Sequence, residues 1–447
     1  MPTTLDCLIM RNVFGSHRMR AVYDSQRLVQ SWLDTWAALA EAQAAVGVIP
    51  AEAARAIRAA AVADKLDIAA IGEGVMEGRH ILMPSIRALS AAAGEAGKYV
   101  HWGSTTQDII DTGMVLQLRD GMAIIIDEVD DLIEILAGLA RKHRSDAMAG
   151  RTHWQHALPI TFGFKVALWV EELHRHRERL VRSRDANMVV QVGGAAGTLA
   201  ALGEHAAAIQ KGVAERLGLA VPPAPWSCLR DGLAELVSNI GLLAATIERI
   251  DTELGRLSST EIAEIAEPRT ATQVGSSAMP QKRNPINTER AAANCKIVRG
   301  LVPVMQSLMV INHERDMSAT AAEWLLLPQC MITMDGALEL THRVVAGLHV
   351  DPERMRRNLD LTGGGIVAEA VMMGLAEHMG RSQAHEVMID MARKAREQGV
   401  TLYDVLSADP EISSLLPDER LRQLVDPANH LGLAETIVDD VLQRVSA

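Results

Sequence analysis

The stretch Val115–Leu139, VLQLRDGMAIIIDEVDDLIEILAGL, decides how this chain folds. Val115, Leu118, Met122, Ile125, Val129, Leu132, Leu136 and Leu139 fall alternately three and four positions apart. That spacing puts all eight on one stripe of a single helix, the a/d seam of a coiled coil. Asp127, Asp130, Asp131 and Glu134 lie off the stripe. A second stretch repeats the pattern through Leu236, Ile240, Leu243, Ile247, Ile250, Leu254 and Leu257. At a rise of about 1.5 Å per residue, each seam runs for over ~30 Å. Helices so long, with so narrow an apolar stripe, bury it against one another, within a chain or between subunits. Apolar stretches near 162–183, 287–312 and 320–347 extend the set. Pro303 and Pro328 are expected to kink or break the last two.

Around this centre the chain changes character. The first hundred residues predict shorter helices at 25–46, 51–62 and 84–93, the first ended by Gly47 and Pro50. The last hundred predict short helices separated by Gly363-Gly364-Gly365, Gly380 and Pro410. No stretch alternates convincingly as a strand would. The reading is all-α, with a short-helix domain at 1–102, a long-helix bundle at 103–348 and a helical domain at 349–447. The composition agrees: hydrophobic residues are 48% of the 447 but aromatics only 3%, so Ala, Leu and Met fill the core.

The net charge of −12 argues against a nucleic-acid binder, which needs a basic face. It leaves room for a small acidic substrate, since a local cationic cluster reverses the field in a cleft. Cys7, Cys228, Cys295 and Cys330 have no paired spacing and read as free thiols, with neither a disulfide frame nor a metal site. No run is long and apolar enough for a membrane span. The start, MPTTLDCLIM, lacks the pattern of a signal peptide, so a cytoplasmic protein is expected.

Three polar segments interrupt the helices: YVHWGSTTQD at 99–108, GRTHWQHALP at 150–159 and GSSAMPQKRNP at 275–285. Each alone has a plain reading, as an N-cap, as surface histidines and as a linker. Together, at the ends of long helices, they read as a small-molecule site. The third is not built like a linker, because it sets cationic Lys282 and Arg283 beside two serines. It reads as a lid that opens for an acidic substrate and closes over it.

GSSAMPQKRNP resembles the GSSxMPxKxN signature of the fumarase/aspartase superfamily and matches every fixed position. The other two segments match the remaining signature regions in order and spacing. HERD at 313–316 and RNLDLTGGGIVAE at 357–369 extend the likeness over essentially the whole chain. The branch it resembles most holds adenylosuccinate lyase and 3-carboxy-cis,cis-muconate cycloisomerase. The resemblance implies a homotetramer whose active sites each take one segment from three subunits. It implies no cofactor, and a di- or tricarboxylate substrate. The implied chemistry is elimination next to a carboxylate, usually releasing fumarate. By position in the motifs, Ser276 is the base, with Ser277 as the other candidate, and His153 is the general acid. Thr105, Thr106, Lys282 and Asn284 bind carboxylates, and Gln155 orients the substrate. His80, His101 and Arg315 complete the substrate-binding set, and Glu289 anchors the far end of the serine loop or His153. Arg20 could reach a substrate anion or stand as a solvated charge, and the second is the first expectation.

The substrate reading divides. His80, His101, His153 and His156 match the adenylosuccinate lyase pattern and favour C–N cleavage with an imidazole acid. Thr320 and Trp324, in AEWLLLP, stand where those lyases generally hold a nucleotide phosphate with Ser and Arg. LPITFGFK at 158–165 and PWSCLRD at 225–231 also resemble the cycloisomerases. The first expectation is a fumarate-releasing lyase with an amine-side substrate smaller than a nucleotide. The alternative is the lactonising cycloisomerase, and the remote one a structural homologue without activity.

Overall fold

The computed structural model describes residues 7–269, 279 and 281–445. It is an all-α protein with two small two-stranded sheets. Eight of its helices frame the polar segments: α1 (Ser25–Ala45), α2 (Ala51–Ala60), α3 (Met83–Ala92), α4 (Thr106–Lys142), α5 (Phe162–Asn187), α6 (Asp231–Leu257), α7 (Ile286–Ser307) and α8 (Met317–Ala346). The three short helices read from the sequence of the first hundred residues are present within two residues of their expected ends. The two seams are the spines of α4 and α6. Seven of the eight α4 seam residues are buried and Leu139 is half-buried. All seven of the α6 seam are buried. Fully burying a Leu or Ile side chain contributes about 1.5–3 kcal/mol, so these stripes dominate the helices' stability.

Pro303 and Pro328 do not end their helices. Both lie inside, Pro303 in the last turns of α7 and Pro328 near the middle of α8. A proline removes one helical N–H donor, and where tertiary packing holds both flanks the helix continues through it.

The chain divides into two compact units, each drawn from three stretches. One holds 7–130, 176–248 and 290–340 of the described residues. Its core joins Trp32, Leu33 and Trp36 of α1 to Ile57 of α2, Leu89 of α3 and Ile109 of α4. Gly241 of α6 lets α7 approach: a side chain there would place its Cβ 2.4 Å from Val302 Cγ2. The other unit holds 131–175, 249–269, 279, 281–289 and 341–445 of the described residues. Its C-terminal part packs short helices around Val371, Leu375, Leu402, Leu406 and Leu421. It also holds the main departure from the expected all-helix chain. Ala147–Thr152 (β1) and Gln155–Thr161 (β2) pair as an antiparallel hairpin, with a register shift between Ala149 and Arg151. No single helix among the described residues is long and apolar enough to cross a membrane.

Within the first unit, Arg230 is fully buried between two carboxylates. Its guanidinium donates to Asp111 of α4 at 2.8 and 3.0 Å and to Glu323 of α8 at 3.0 and 2.7 Å. The Trp226 ring lies 5.0 Å from the same guanidinium. Burial works against this cation, but Asp111 and then Glu323 overcome it and hold the group charged. Removing one partner of such a cluster leaves uncompensated charge in the core, whereas replacing the whole cluster with apolar residues does not. Arg230→Met should therefore cost about 3–5 kcal/mol in denaturant unfolding. Replacing Asp111 and Glu323 with Leu and Met in the same protein should recover most of that loss.

Candidate active site

The first polar segment is held from α1. His101 takes a left-handed backbone (φ 64°), unfavourable for a residue with a Cβ, and Gly103 follows with φ 70°. Two α1 side chains fix that turn. Gln43 donates from its amide to the Trp102 carbonyl at 2.7 Å, and Trp36 donates from its indole to His101 Nδ1 at 3.1 Å. They lie seven residues apart, two turns along one face of the helix. The Trp36 and His101 rings meet edge to face, with centroids 6.1 Å apart. Burial, and then the nearby His80, lower the His101 pKa from 6.5 to about 4, so its imidazole is neutral near pH 7.

His80 itself is exposed and accepts through Nδ1 from the backbone N–H groups of Leu82 and Met83, at 3.3 and 3.1 Å, at the start of α3. Asp108, in the first turn of α4, accepts from the N–H groups of Thr105, Gly193 and Gly194 at 3.0, 2.8 and 3.0 Å. Burial raises its pKa from 3.8 to about 6 in spite of those donors. Thr105 then meets Arg315, whose guanidinium donates to its hydroxyl at 2.8 Å. These two predicted carboxylate binders are 210 positions apart in sequence, and Arg315 arrives from the residues just before α8. Asp316 beside it accepts from the backbone N–H of Ser318 at 2.7 Å and so caps α8. Thr106 is the first residue of α4 and is half-buried.

In the same unit Trp324 is half-buried and lines a cavity of about 140 Å³ with Tyr23, Leu28, Trp32, Ile81 and Leu327. Thr320 is buried, and its hydroxyl is spent on the Asp316 carbonyl. Arg20, read as a solvated charge, is instead half-buried and donates to the Arg11 carbonyl and Asn12 side chain at 2.7 and 2.8 Å.

In the second unit the second polar segment forms the hairpin tip. Thr152 pairs with Gln155, so His153 and Trp154 are the two turn residues. Both have positive φ, 48° and 67°, as a tight turn that matches the strand twist demands. Asn-Gly is the usual choice for such a turn, and a His-Trp pair there is strained. The Arg256 guanidinium of α6 lies 4.7 Å from the exposed Trp154 ring and braces it. His153, Trp154, His156, Arg151 and Arg256 line a cavity of about 580 Å³. Arg151 donates to the fully buried Glu264 at 3.1 and 2.6 Å, and Asn358 donates to Glu264 at 2.8 Å. Burial, and then Arg151, lower the His156 pKa. Gln155 is exposed on β2.

Of the third segment, Ser276 and Ser277 lie outside the described residues, and so does the expected lid movement. Lys282 and Arg283 are exposed, and Asn284 and Arg283 line a separate cavity of about 260 Å³ with Glu267, Arg269 and His349. The segment's far end is gripped by Glu267. Its carboxylate accepts from the N–H groups of Asn287 and Thr288 at 3.3 and 2.8 Å, from the Asn287 amide at 3.2 Å, and from the Thr288 hydroxyl. It thus caps α7, while Glu289 is exposed in that helix's first turn. Among the described residues, no group of three or more His, Cys, Asp or Glu side chains could hold a metal ion.

Sequence reasoning missed Trp36, Asp108, Arg256, Glu267 and the hairpin. The hairpin had a faint signal in the two-residue spacing between Thr152 and Gln155, but lacked the Gly or Asn that marks such turns. Asp108 had a local signal, lying three positions after Thr105 in the segment read as an N-cap, but its bonds to Gly193 and Gly194 did not; Trp36, Arg256 and Glu267 have none, because each acts on a residue brought in by the fold.

A family model described as Lyase matches residues 13–300, and one described as Adenylosuccinate lyase C-terminus matches residues 364–441. The chain is 42% identical to 3-carboxy-cis,cis-muconate cycloisomerase of Pseudomonas aeruginosa, over 96% of this chain and 94% of that one. It is 40% identical to adenylosuccinate lyase of Pyrococcus abyssi, over 97% and 96%. The crystal structure of a fumarate lyase from Mesorhizobium sp. BNC1 superposes with a TM-score of 0.90 at 40% identity, covering 96% of this chain and 98% of that one.

His101 and Asp108, both in the first unit, act oppositely on stability. His101 has a folded pKa of about 4, below its ordinary 6.5, so its contribution is complete above pH ~6.5 and is lost as pH falls towards 4. Asp108 has a folded pKa of about 6, above its ordinary 3.8, so the folded state gains stability as pH falls through that range. Thermal melts between pH 4 and 7 should show the Tm of the unaltered protein falling relative to His101→Gln on acidification. It should rise relative to Asp108→Asn over the same interval.

Proposed function

The chain belongs to the fumarase/aspartase superfamily of lyases, and from that premise we propose that it releases fumarate from an N-succinyl amine smaller than a nucleotide. The observation that carries this reading is the placement of His153. It stands at the tip of a hairpin, exposed on a cavity with Arg151, Arg256 and His156, where an imidazole can reach a leaving nitrogen. An imidazole acid is what C–N cleavage needs and lactone closure does not.

The steps follow from the chemistry. Ser276 removes the proton from the carbon next to one substrate carboxylate. The electron pair passes into that carboxylate, whose added negative charge Lys282 and Asn284 stabilise. The pair then forms the C=C bond as the C–N bond breaks, and His153 gives its proton to the nitrogen. Thr105, Thr106 and Arg315 hold the other carboxylate. Arg315 and Thr105 are already hydrogen-bonded to each other, so the guanidinium is oriented before substrate arrives. His80, His101 and Gln155 line the substrate. A serine is a poor base at its ordinary pKa, so closure of its loop would have to place it among backbone N–H donors in a dry site that favours the alkoxide.

The site is read as shared between subunits of a homotetramer. Within the second unit, His153 and Asn284 line different cavities, so the second and third segments do not meet there in one described pocket. Leu168, Leu242, Ile297, Val304 and Leu325 are large apolar residues exposed on the long helices, as an uncovered subunit interface would leave them.

Trp324 favours a second reading, 3-carboxymuconate lactonisation. It lines an apolar cavity with Ile81 and Leu327 where a nucleotide phosphate would need a guanidinium. One assay series separates the two. Adenylosuccinate, small N-succinyl amines and 3-carboxymuconate are each offered to the unaltered protein, and fumarate and lactone are measured. Fumarate from a small N-succinyl amine is expected, with Ser276→Ala at least ~10³-fold slower and His153→Ala ~10²–10⁴-fold slower. Lactone without fumarate would replace the first reading by the second.

A further inference from the structure

We propose that Trp36 is a positioning residue that fixes His101 as its Nε2–H tautomer, so that His101 serves the substrate only as a hydrogen-bond donor to an anionic oxygen. An indole N–H can donate but never accept. It lies 3.1 Å from His101 Nδ1, so that nitrogen must present its lone pair and the ring proton must sit on Nε2. Ser104 is compatible with this: its hydroxyl oxygen lies 2.9 Å from the same nitrogen and donates its one proton to the His101 carbonyl oxygen at 3.2 Å.

The donor is held firmly. Trp36 is 1% exposed, in the core of the first unit, and Gln43 grips the adjoining backbone from the same face of α1. The left-handed conformation of His101 is thereby fixed, and its ring is turned edge to face with the indole. A histidine with one nitrogen committed inward and its proton on the other is a donor, not a base. It suits a carboxylate bound beside Thr105 and Arg315, and it leaves proton transfer to groups of the other segments. This role rests on the proposed carboxylate substrate; the tautomer does not.

The test is the 15N spectrum of the full chain labelled at histidine, with the His101 signals assigned by their loss in His101→Gln. The unaltered protein at neutral pH should show a protonated Nε2 and an unprotonated Nδ1. In Trp36→Phe both tautomers should be populated. Substrate then selects the Nε2–H form, so the KM for whichever carboxylate substrate is turned over should rise by the inverse of that form's remaining fraction, about twofold for an even mixture, with kcat unchanged. An Nδ1–H His101 in the unaltered protein overturns the proposal. So does a Trp36→Phe protein that keeps the single tautomer, or one whose mixed tautomers leave KM unchanged. If Trp36→Phe does not fold, the spectrum of the unaltered protein decides. That spectrum needs no substrate, so it stands apart from the success or failure of the lyase reading.

Discussion

One buried guanidinium sets the geometry on which the first unit's chemistry rests. Arg230 stands immediately before α6 and donates to Asp111 of α4 and Glu323 of α8 at once. Three long helices are thereby fixed in register near their N-terminal ends. Asp111 is six residues past Thr105, and Glu323 is eight past Arg315. The ion cluster therefore determines where those two meet, and they meet at hydrogen-bonding distance. An apolar seam alone holds a long helix against its neighbours, but a greasy stripe tolerates sliding by a turn. A guanidinium with two bidentate partners does not, because a slip of one turn would strand charge in the core.

Backbone strain gathers where the chemistry is expected. The described residues other than glycine with positive φ are Arg79, His101, His153, Trp154, Leu199, Ala263 and His313. Five of these lie in, or directly beside, a stretch that the sequence marks as functional: Arg79 next to His80, His101, the His153–Trp154 turn, and His313 of HERD. Such conformations cost on the order of 1–3 kcal/mol each and persist only when their surroundings over-determine them. The surroundings here can be named. Trp36 and Gln43 hold His101, and Arg256 braces Trp154.

How much of this the sequence carried depends on how far each cause lies along the chain. The helices were legible because their cause is local: an a/d seam and helix-forming composition act over a few turns. The hairpin was not. Its strands alternate poorly, β1 is buried over three successive residues, and its turn uses His and Trp where the usual signal is Asn-Gly. Of the kink or break expected at the prolines, the break does not occur, since α7 and α8 run through them. Candidate site residues such as Thr105, His153 and Lys282 were named because their motifs are contiguous. The residues that hold the motifs could not. Trp36 acts 65 positions from His101, and Glu267 caps a helix 20 positions on.

The caps also explain why the predicted anion binders are side chains. A helix N-terminus, with its free N–H groups and partial positive charge, is a ready anion site. In three long helices beside the signature segments that place is already taken by a carboxylate of the chain itself. Asp108 accepts at the start of α4, Glu267 caps α7 and Asp316 caps α8. A substrate carboxylate cannot displace them without exposing the donors they satisfy, so on the proposed reading its recognition falls to Arg315, Lys282 and the ring of His101. These groups have one advantage over a helix end: they belong to different segments. A site assembled from separate segments excludes water and completes its charge only when all of them meet the same substrate, which is what the proposed elimination through a doubly charged carboxylate would require.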